Sequence, residues 1–330
     1  MSRIIIVALI SLFANTMCCF AQGAKTDLEY EHLRGRVKSV RVQTYSLQKQ
    51  EDGSIKRIDF YDCEEFDFGD YEIELSNRNR IRAYPLWGIY CENYFKKYDT
   101  NGNIVENILW GDSSDSQHYV CSSDEKGRVL SWINKTDSTE SKYKYDNKDN
   151  IVEIIDYDSS KISLNYKDNN LIEMVSQSNN SKDKEKYLYR YDDKNRLIEY
   201  KSMDLDSAGR IVIVAFNFYK YNNRNQVIEE RSKFDSEYNY LYQCTYDDKG
   251  NKTTNAIDIL HKKVKPRISI EEYDQYGNLV NFQDDRTKEN NQYEYDSYGN
   301  WIKQTTTDIH IIKEDEDFPL ITERKIEYYE

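Results

Sequence analysis

The chain has 330 residues, of which 32% are charged, 38% are hydrophobic and 30 are tyrosine; so thin an aliphatic share does not fill a compact three-layer fold and suits a sheet one strand thick. The formal net charge of −13 leaves no basic cluster able to hold a phosphate backbone or an anionic membrane surface, which excludes nucleic acid as a partner. Three prolines in the whole chain favour long, uninterrupted strand pairing.

Residues 1–21 have the layout of a secretory signal peptide: Arg3, an apolar run over residues 4–14, then small residues with Cys19 and Ala21 just ahead of Gln22. The run is about half the roughly 20 residues that a membrane helix needs. Export to the periplasm or the extracellular side is therefore expected, with no membrane span once the signal is removed. Lipid anchoring at Cys18 or Cys19 is the weaker alternative, because Met17 or Cys18 precedes the cysteine where a small residue is usual.

No linker rich in Pro, Gly or Ser divides the rest, so residues 22–330 read as a single domain. Residues 22–93 read as diverged hairpins, after a stretch at 25–35 that holds one short helical turn at most. Asp52–Gly53 marks a turn after an alternating strand, and residues 76–81 (SNRNRI) mark another. Residues 94–302 carry the clearest repeats, and residues 303–330 supply closing strands.

The repeat is a short phrase: YKYDNKDNIVEI at residue 143, YRYDDKNRLIEY at 189 and YEYDSYGNWIKQ at 293. Aligned on its small residue, it recurs at Gly102, Gly127, Asp149, Asn169, Asn195, Gly209, Asn225, Gly250, Gly277 and Gly299, a mean spacing of about 22 residues. Gly, Asn and Asp are the residue types that tolerate left-handed backbone. Three residues earlier stand Asp99, Asp124, Asp146, Asp192, Asp206, Asn222, Asp247, Asp274 and Asp296. Asp or Asn at the first place and Gly at the fourth predicts a type I turn closed by a left-handed residue, a tight hairpin loop. The Asn169 copy is one residue short, with Tyr166 where the aspartate belongs, so a different turn is expected there.

Tyrosine precedes the turn at seven copies, often with a second aromatic two residues earlier, on the same strand face. An aliphatic pair such as Ile104–Val105 or Leu197–Ile198 follows, and in a regular strand its two side chains point to opposite faces. Each unit thus reads as strand, tight turn, strand. The fold class expected is all-β, with consecutive antiparallel hairpins forming one elongated, twisted or spiralling sheet. The tyrosine stripe reads first as cover for that sheet. If instead it binds, sugar rings are the natural ligand, with Trp87, Trp110, Trp132 and Trp301 as candidates.

The phrase YDxxGN, standing at Tyr98, Tyr246, Tyr273 and Tyr295, resembles the YD repeat of the RHS family over residues 94–302. The resemblance implies hairpins laid side by side into a long spiralling sheet, which large members wind into a shell around cargo. The self-cutting core segment of those shells is not found in this chain, so encapsulation and self-cleavage are not expected.

Catalytic and metal signals are weak. His32, His118, His261 and His310 are scattered. His118 lies three residues before Cys121, and on an alternating strand the two side chains face apart. DLDSAG at residues 204–209 matches the start of a calcium loop, but its twelfth place is Ala215 and not Glu, so it reads as a hairpin turn. No catalytic residue, metal or cofactor is expected. Four cysteines remain after export, Cys63, Cys91, Cys121 and Cys244, and allow three full disulfide pairings. A non-enzymatic binding or scaffold protein of the bacterial cell envelope is the function expected, with a glycan or another envelope protein as partner; a hydrolase using the wider loops is the weakest alternative.

Overall fold

The computed structural model describes residues 26–50, 52, 54–59, 63–65, 89–91, 93–110, 116–180, 184–234, 238–261, 264–310 and 319–330. The leader, Trp87 and the expected turn at residues 76–81 lie outside these. One helical turn, α1 (Asp27–Tyr30), is capped by the Thr26 hydroxyl, which accepts from the Glu29 N–H at 3.2 Å. Strands follow: β1 (Val37–Lys49), β2 (Ile55–Asp59), β3 (Cys63–Glu65) and β4 (Ile89–Cys91). Nine hairpins then run in order. They are β5 (Asn93–Tyr98) with β6 (Ile104–Trp110), β7 (Gln117–Ser123) with β8 (Val129–Asn134), and β9 (Thr139–Tyr145) with β10 (Ile151–Ile155). Next come β11 (Lys161–Lys167) with β12 (Asn170–Gln177), β13 (Lys184–Tyr191) with β14 (Leu197–Leu205), and β15 (Ile211–Tyr221) with β16 (Val227–Phe234). Last are β17 (Tyr238–Tyr246) with β18 (Lys252–Asp258), β19 (Arg267–Tyr273) with β20 (Leu279–Gln283), and β21 (Thr287–Tyr295) with β22 (Trp301–His310). β23 (Leu320–Tyr328) ends the chain.

From β5 to β23 each strand pairs antiparallel with the next. The sheet does not stay open as an elongated spiral. β1 pairs with β23 along one edge (Val40↔Ile326) and with β5 along the other (Val40↔Lys96), so β1 and β5–β23 form a closed barrel of 20 strands. The reason lies in the diverged N-terminal segment, which supplies a strand able to join the first repeat to the last. Closure removes the free edges that an open sheet of hairpins would expose.

The nine hairpin turns all lie at one end, called here the tight end. The Asp206–Gly209 turn, read from sequence as one more copy, joins β14 to β15 at the opposite, wide end. A similar turn at Asp156, whose fourth residue Ser159 has φ 67°, joins β10 to β11 at the same wide end.

At the tight end most turns share one backbone hydrogen-bond pattern. The Asp99 N–H donates to the Asn103 carbonyl at 2.8 Å and the Gly102 N–H to the Asp99 carbonyl at 3.1 Å. Asp99 Oδ1 accepts the N–H groups of Asn101 and Asn103, both at 2.9 Å. The same bonds recur at Asp146, Asp192, Asp247, Asp274 and Asp296. The fourth residue has positive φ at every one: Gly102, Asp149, Asn195, Gly250, Gly277 and Gly299. Asp Oδ2 is taken by the side chain after the small residue, Asn150 or Asn251 in some copies and Arg128 or Arg196 in others. The short copy is a two-residue loop, with Asp168 and Asn169 both at positive φ, as a type I′ turn requires.

The aliphatic pair after the turn is not split evenly between two faces. Tyr98 pairs with Ile104, but Lys97 pairs with Glu106, so Val105 is an unpaired bulge residue. Leu130, Val152, Ile172, Ile198, Ile228, Val280 and Ile302 occupy the same place in their hairpins. Each bulge shifts the in–out phase of the strand that follows.

Following the register around the ring assigns the two walls. One face carries Val40, Tyr98, Trp132, Tyr143, Ile162, Met174, Tyr189 and Tyr219, which join in one buried cluster with Leu28 and Leu33. Crowding of side chains marks the concave side of a closed sheet, so this is the inner wall. The outer wall carries cross-strand ion pairs: Lys144 and Lys161 on Glu153, Lys186–Glu173, Arg190–Glu199, Lys220–Glu229 and Lys303–Glu294.

Candidate functional site on the inner wall

Charged side chains on the inner wall converge on strands β15 to β19. In register, Tyr219 faces Glu230, Glu230 faces Tyr242, and Lys252 faces both Tyr246 and Glu271. Lys252 is only 1% exposed and Glu230 only 4%. Lys252 Nζ donates to Glu271 Oε1 at 3.2 Å, and the Tyr273 hydroxyl donates to the other oxygen of the same carboxylate. Asn217 Nδ2 donates to Glu230 Oε1 at 3.4 Å. Burial pushes the Glu230 carboxyl up to about 7, and attraction to Lys252 opposes this. The wall therefore holds, beside Lys252, a carboxyl that burial shifts toward neutral pH.

Cys244 lies on the same wall, with Sγ 3.7 Å from Thr254 Oγ1. Burial raises its thiol, and Lys252 lowers it only in part. A thiol held in its neutral form is a poor nucleophile. Cys121 is likewise raised by burial. It faces Trp132 on the inner wall, whereas His118 pairs with Ile108 on the outer wall, where Nε2 lies 2.8 Å from Glu106 Oε1. The two side chains thus stand on opposite sides of the sheet. Among the described residues no group of three or more His, Cys, Asp or Glu is placed to hold a metal ion, and the 206–209 loop is an ordinary hairpin turn.

The three described tryptophan candidates do not form one surface. Trp132 is 2% exposed and belongs to the inner cluster, so it offers no face to a ligand. Trp110 is half-buried under the Arg41 guanidinium, 4.8 Å from the ring centroid. Trp301 lies under Arg324 at 3.4 Å, with the Tyr293 ring 6.0 Å away.

A second constellation sits at the tight end. The segment from Thr26 to Arg36 bridges the first hairpin and the last. The Leu28 N–H donates to the Gly102 carbonyl at 3.0 Å, and Asp27 Oδ2 accepts the Ile104 N–H at 2.6 Å. At its other end the Arg34 N–H donates to Asn300 Oδ1 at 2.7 Å, and Asn300 Nδ2 donates to the Arg34 carbonyl at 2.8 Å. Between them Glu31 accepts from Lys96 and Tyr98, both at 2.6 Å. Burial would raise the Glu31 carboxyl, but Lys96 and Tyr98 outweigh it and hold the group below its usual range.

No protein-family model matches the chain, and no curated protein matches it. Among solved structures it is similar to a porin-like protein from Bacteroides uniformis ATCC 8492, at 11% identity and a TM-score of 0.39, over 88% of this chain and 96% of that one. It is also similar to a chain of the Photorhabdus luminescens Tc holotoxin pore, at 12% identity and a TM-score of 0.15, over 64% of this chain and 16% of that one.

Proposed function

We propose that the chain is an exported, non-enzymatic binding or scaffold module of the bacterial cell envelope, built from YD-type hairpin repeats and working in water. The observation that carries this reading is the contrast between the walls. The outer wall carries ion pairs, among them Lys186–Glu173 midway along β13 and β12, and a Lys or Arg facing lipid costs about 2–4 kcal/mol at mid-bilayer and less near the interfaces. A tyrosine-rich inner wall with hydroxyls and a titrating carboxyl suits polar contacts inside the ring. The layout of residues 1–21 supports export. The raised thiols of Cys121 and Cys244 and the scattered histidines support a role without catalysis, and the recurrent Tyr–Asp turns support kinship with YD repeats. The buried Trp132 and covered Trp301 weigh against sugar binding through tryptophan.

The test is the leaderless chain in detergent-free buffer, followed by flotation with vesicles of phosphatidylethanolamine and phosphatidylglycerol and by a glycan array. The expected result is a soluble, monodisperse protein that stays at the bottom of the gradient. Stable insertion into vesicles would overturn the aqueous reading, and dose-dependent glycan binding would restore the sugar reading.

A further inference from the structure

β2 and β5 lie end to end along one edge of β1. Asp59 of β2 stands opposite Tyr45, and Tyr94 of β5 stands opposite Val42. The Asn93 side chain reaches the same stretch, accepting the Thr44 N–H at 2.6 Å. β2 and β5 thus take up one edge of β1 in turn, with residues 60–92 between them in the chain. Within that span β3 and β4 pair antiparallel as a separate two-stranded sheet, with Cys63 directly opposite Cys91.

We propose that Cys63 and Cys91 form a disulfide that links β3 to β4. Directly opposed residues of an antiparallel pair have Cα atoms about 4.5–5.5 Å apart, within the roughly 4.4–6.8 Å range that a disulfide spans. The register is the main argument. A second is elimination: Cys121 and Cys244 are free thiols on strands β7 and β17, and Cys244 is engaged with Thr254. Of the three pairings open to four cysteines, the geometry leaves one bridge and two thiols. A third argument is need, because a lone two-stranded pairing is marginal in water. Closing residues 64–90 into a loop removes unfolded-state freedom that three residue pairs hold weakly.

The bond forms by exchange. The Cys63 thiolate attacks a disulfide oxidant and displaces one of its thiols. The Cys91 thiolate then attacks the mixed disulfide and displaces the second, so two protons leave the cysteines and two electrons pass to the oxidant. The proposal rests on the export reading only for the oxidant met in the cell.

The test is made independent of export by using glutathione as the oxidant. The leaderless full chain is reduced, then equilibrated in buffers of graded oxidised and reduced glutathione. It is quenched by acid, alkylated in denaturant and mapped by mass spectrometry without reduction. A peptide linking Cys63 to Cys91 is expected, lighter than its two thiol peptides by two hydrogens, with Cys121 and Cys244 alkylated. Cys91→Ser should release Cys63 to alkylation, and Cys121→Ser should leave the link intact. Alkylation of all four cysteines in fully oxidised glutathione, or a link that includes Cys121 or Cys244, overturns the proposal. Failure of export in cells would overturn the functional reading and leave this result standing.

Discussion

The Tyr145 hydroxyl donates to the backbone carbonyl of Val129 at 2.7 Å. Tyr145 ends β9 just before its own tight turn, and Val129 opens β8 just after the preceding one. Tyr221 reaches Leu197 in the same way at 2.7 Å, and Tyr246 reaches Val227 at 2.9 Å. The motif's two residues therefore divide the labour. The aspartate closes its own turn through backbone N–H groups, and the tyrosine ties that turn to the previous hairpin. Arg128 and Arg196 add to this, each lying over the next tyrosine ring at 4.9 and 4.8 Å.

Tyr145→Phe keeps the ring under Arg128 and removes only the hydroxyl. The loss expected is about 1 kcal/mol, the usual net worth of one such bond. Tyr246→Phe should behave alike. Urea denaturation at neutral pH is the measurement, read as a lower midpoint at unchanged slope. If both variants keep the wild-type midpoint, the tyrosines do not join the turns.

Gly250 and Gly299 separate two costs of a side chain at the turn. Both have positive φ, 91° and 81°. A Cβ on Gly250 meets nothing within 4 Å, whereas one on Gly299 meets Arg34 Nη1 at 2.7 Å and the Tyr276 ring at 3.1 Å. Gly250→Ala should cost about 1–2 kcal/mol from the left-handed backbone alone, and Gly250→Asn less. Gly299→Val should cost more than Gly250→Val, because it strains the backbone and also displaces Arg34. Melting temperatures in that order support the assignment; equal losses at the two sites would contradict it.

Much of the barrel was legible in the sequence and its closure was not. The Asp and Gly types at fixed spacing state the turn geometry outright, because only a few residues accept positive φ. Closure depends on β1, whose VKSVRVQTYSL carries no repeat phrase and pairs with strands at both ends of the chain. The bulges were also hidden. With regular alternation, Val227 inside implies Glu229 inside and Glu230 outside. The unpaired Ile228 reverses this and buries Glu230. The same shift turns Trp132 inward, because Leu130 is a bulge residue. A phase slip of one residue leaves no mark in composition, so the buried charges and the buried tryptophan could not be read in advance.

The strap at the tight end should be separable from the barrel it closes. Asn300 is buried, holds both backbone groups of Arg34, and donates to the Tyr328 hydroxyl at 2.8 Å. Asn300→Ala leaves those partners unmet and should cost about 2–3 kcal/mol. Amide exchange gives the more specific reading. Protection should fall at Leu28 and Arg34, whose N–H groups belong to the strap, before it falls at the ladder of β13 and β14. Uniform loss of protection around the ring would mean that the strap and the barrel open together.

Glu230 gives the chain a pH dependence whose sign is fixed by burial. Its carboxyl is raised from 4.5 to about 7 in the folded state. Between those values the native protein holds a proton that the unfolded chain has released. Stability from this group is therefore full below about pH 4.5 and is lost as pH rises through about 7. Glu230→Gln cannot ionise and escapes that loss. It should match wild type near pH 4.5 and be more stable at pH 8, by about 1–3 kcal/mol. Lys252→Met is the companion variant. It removes the nearby ammonium and should make the carboxylate costlier still, so its deficit against wild type should widen from pH 5 to pH 8. Urea titrations of the three proteins across that range decide the matter. If Glu230→Gln is the less stable protein at pH 8, attraction to Lys252 outweighs burial, and the inner wall holds a fixed ion pair in place of a titrating acid.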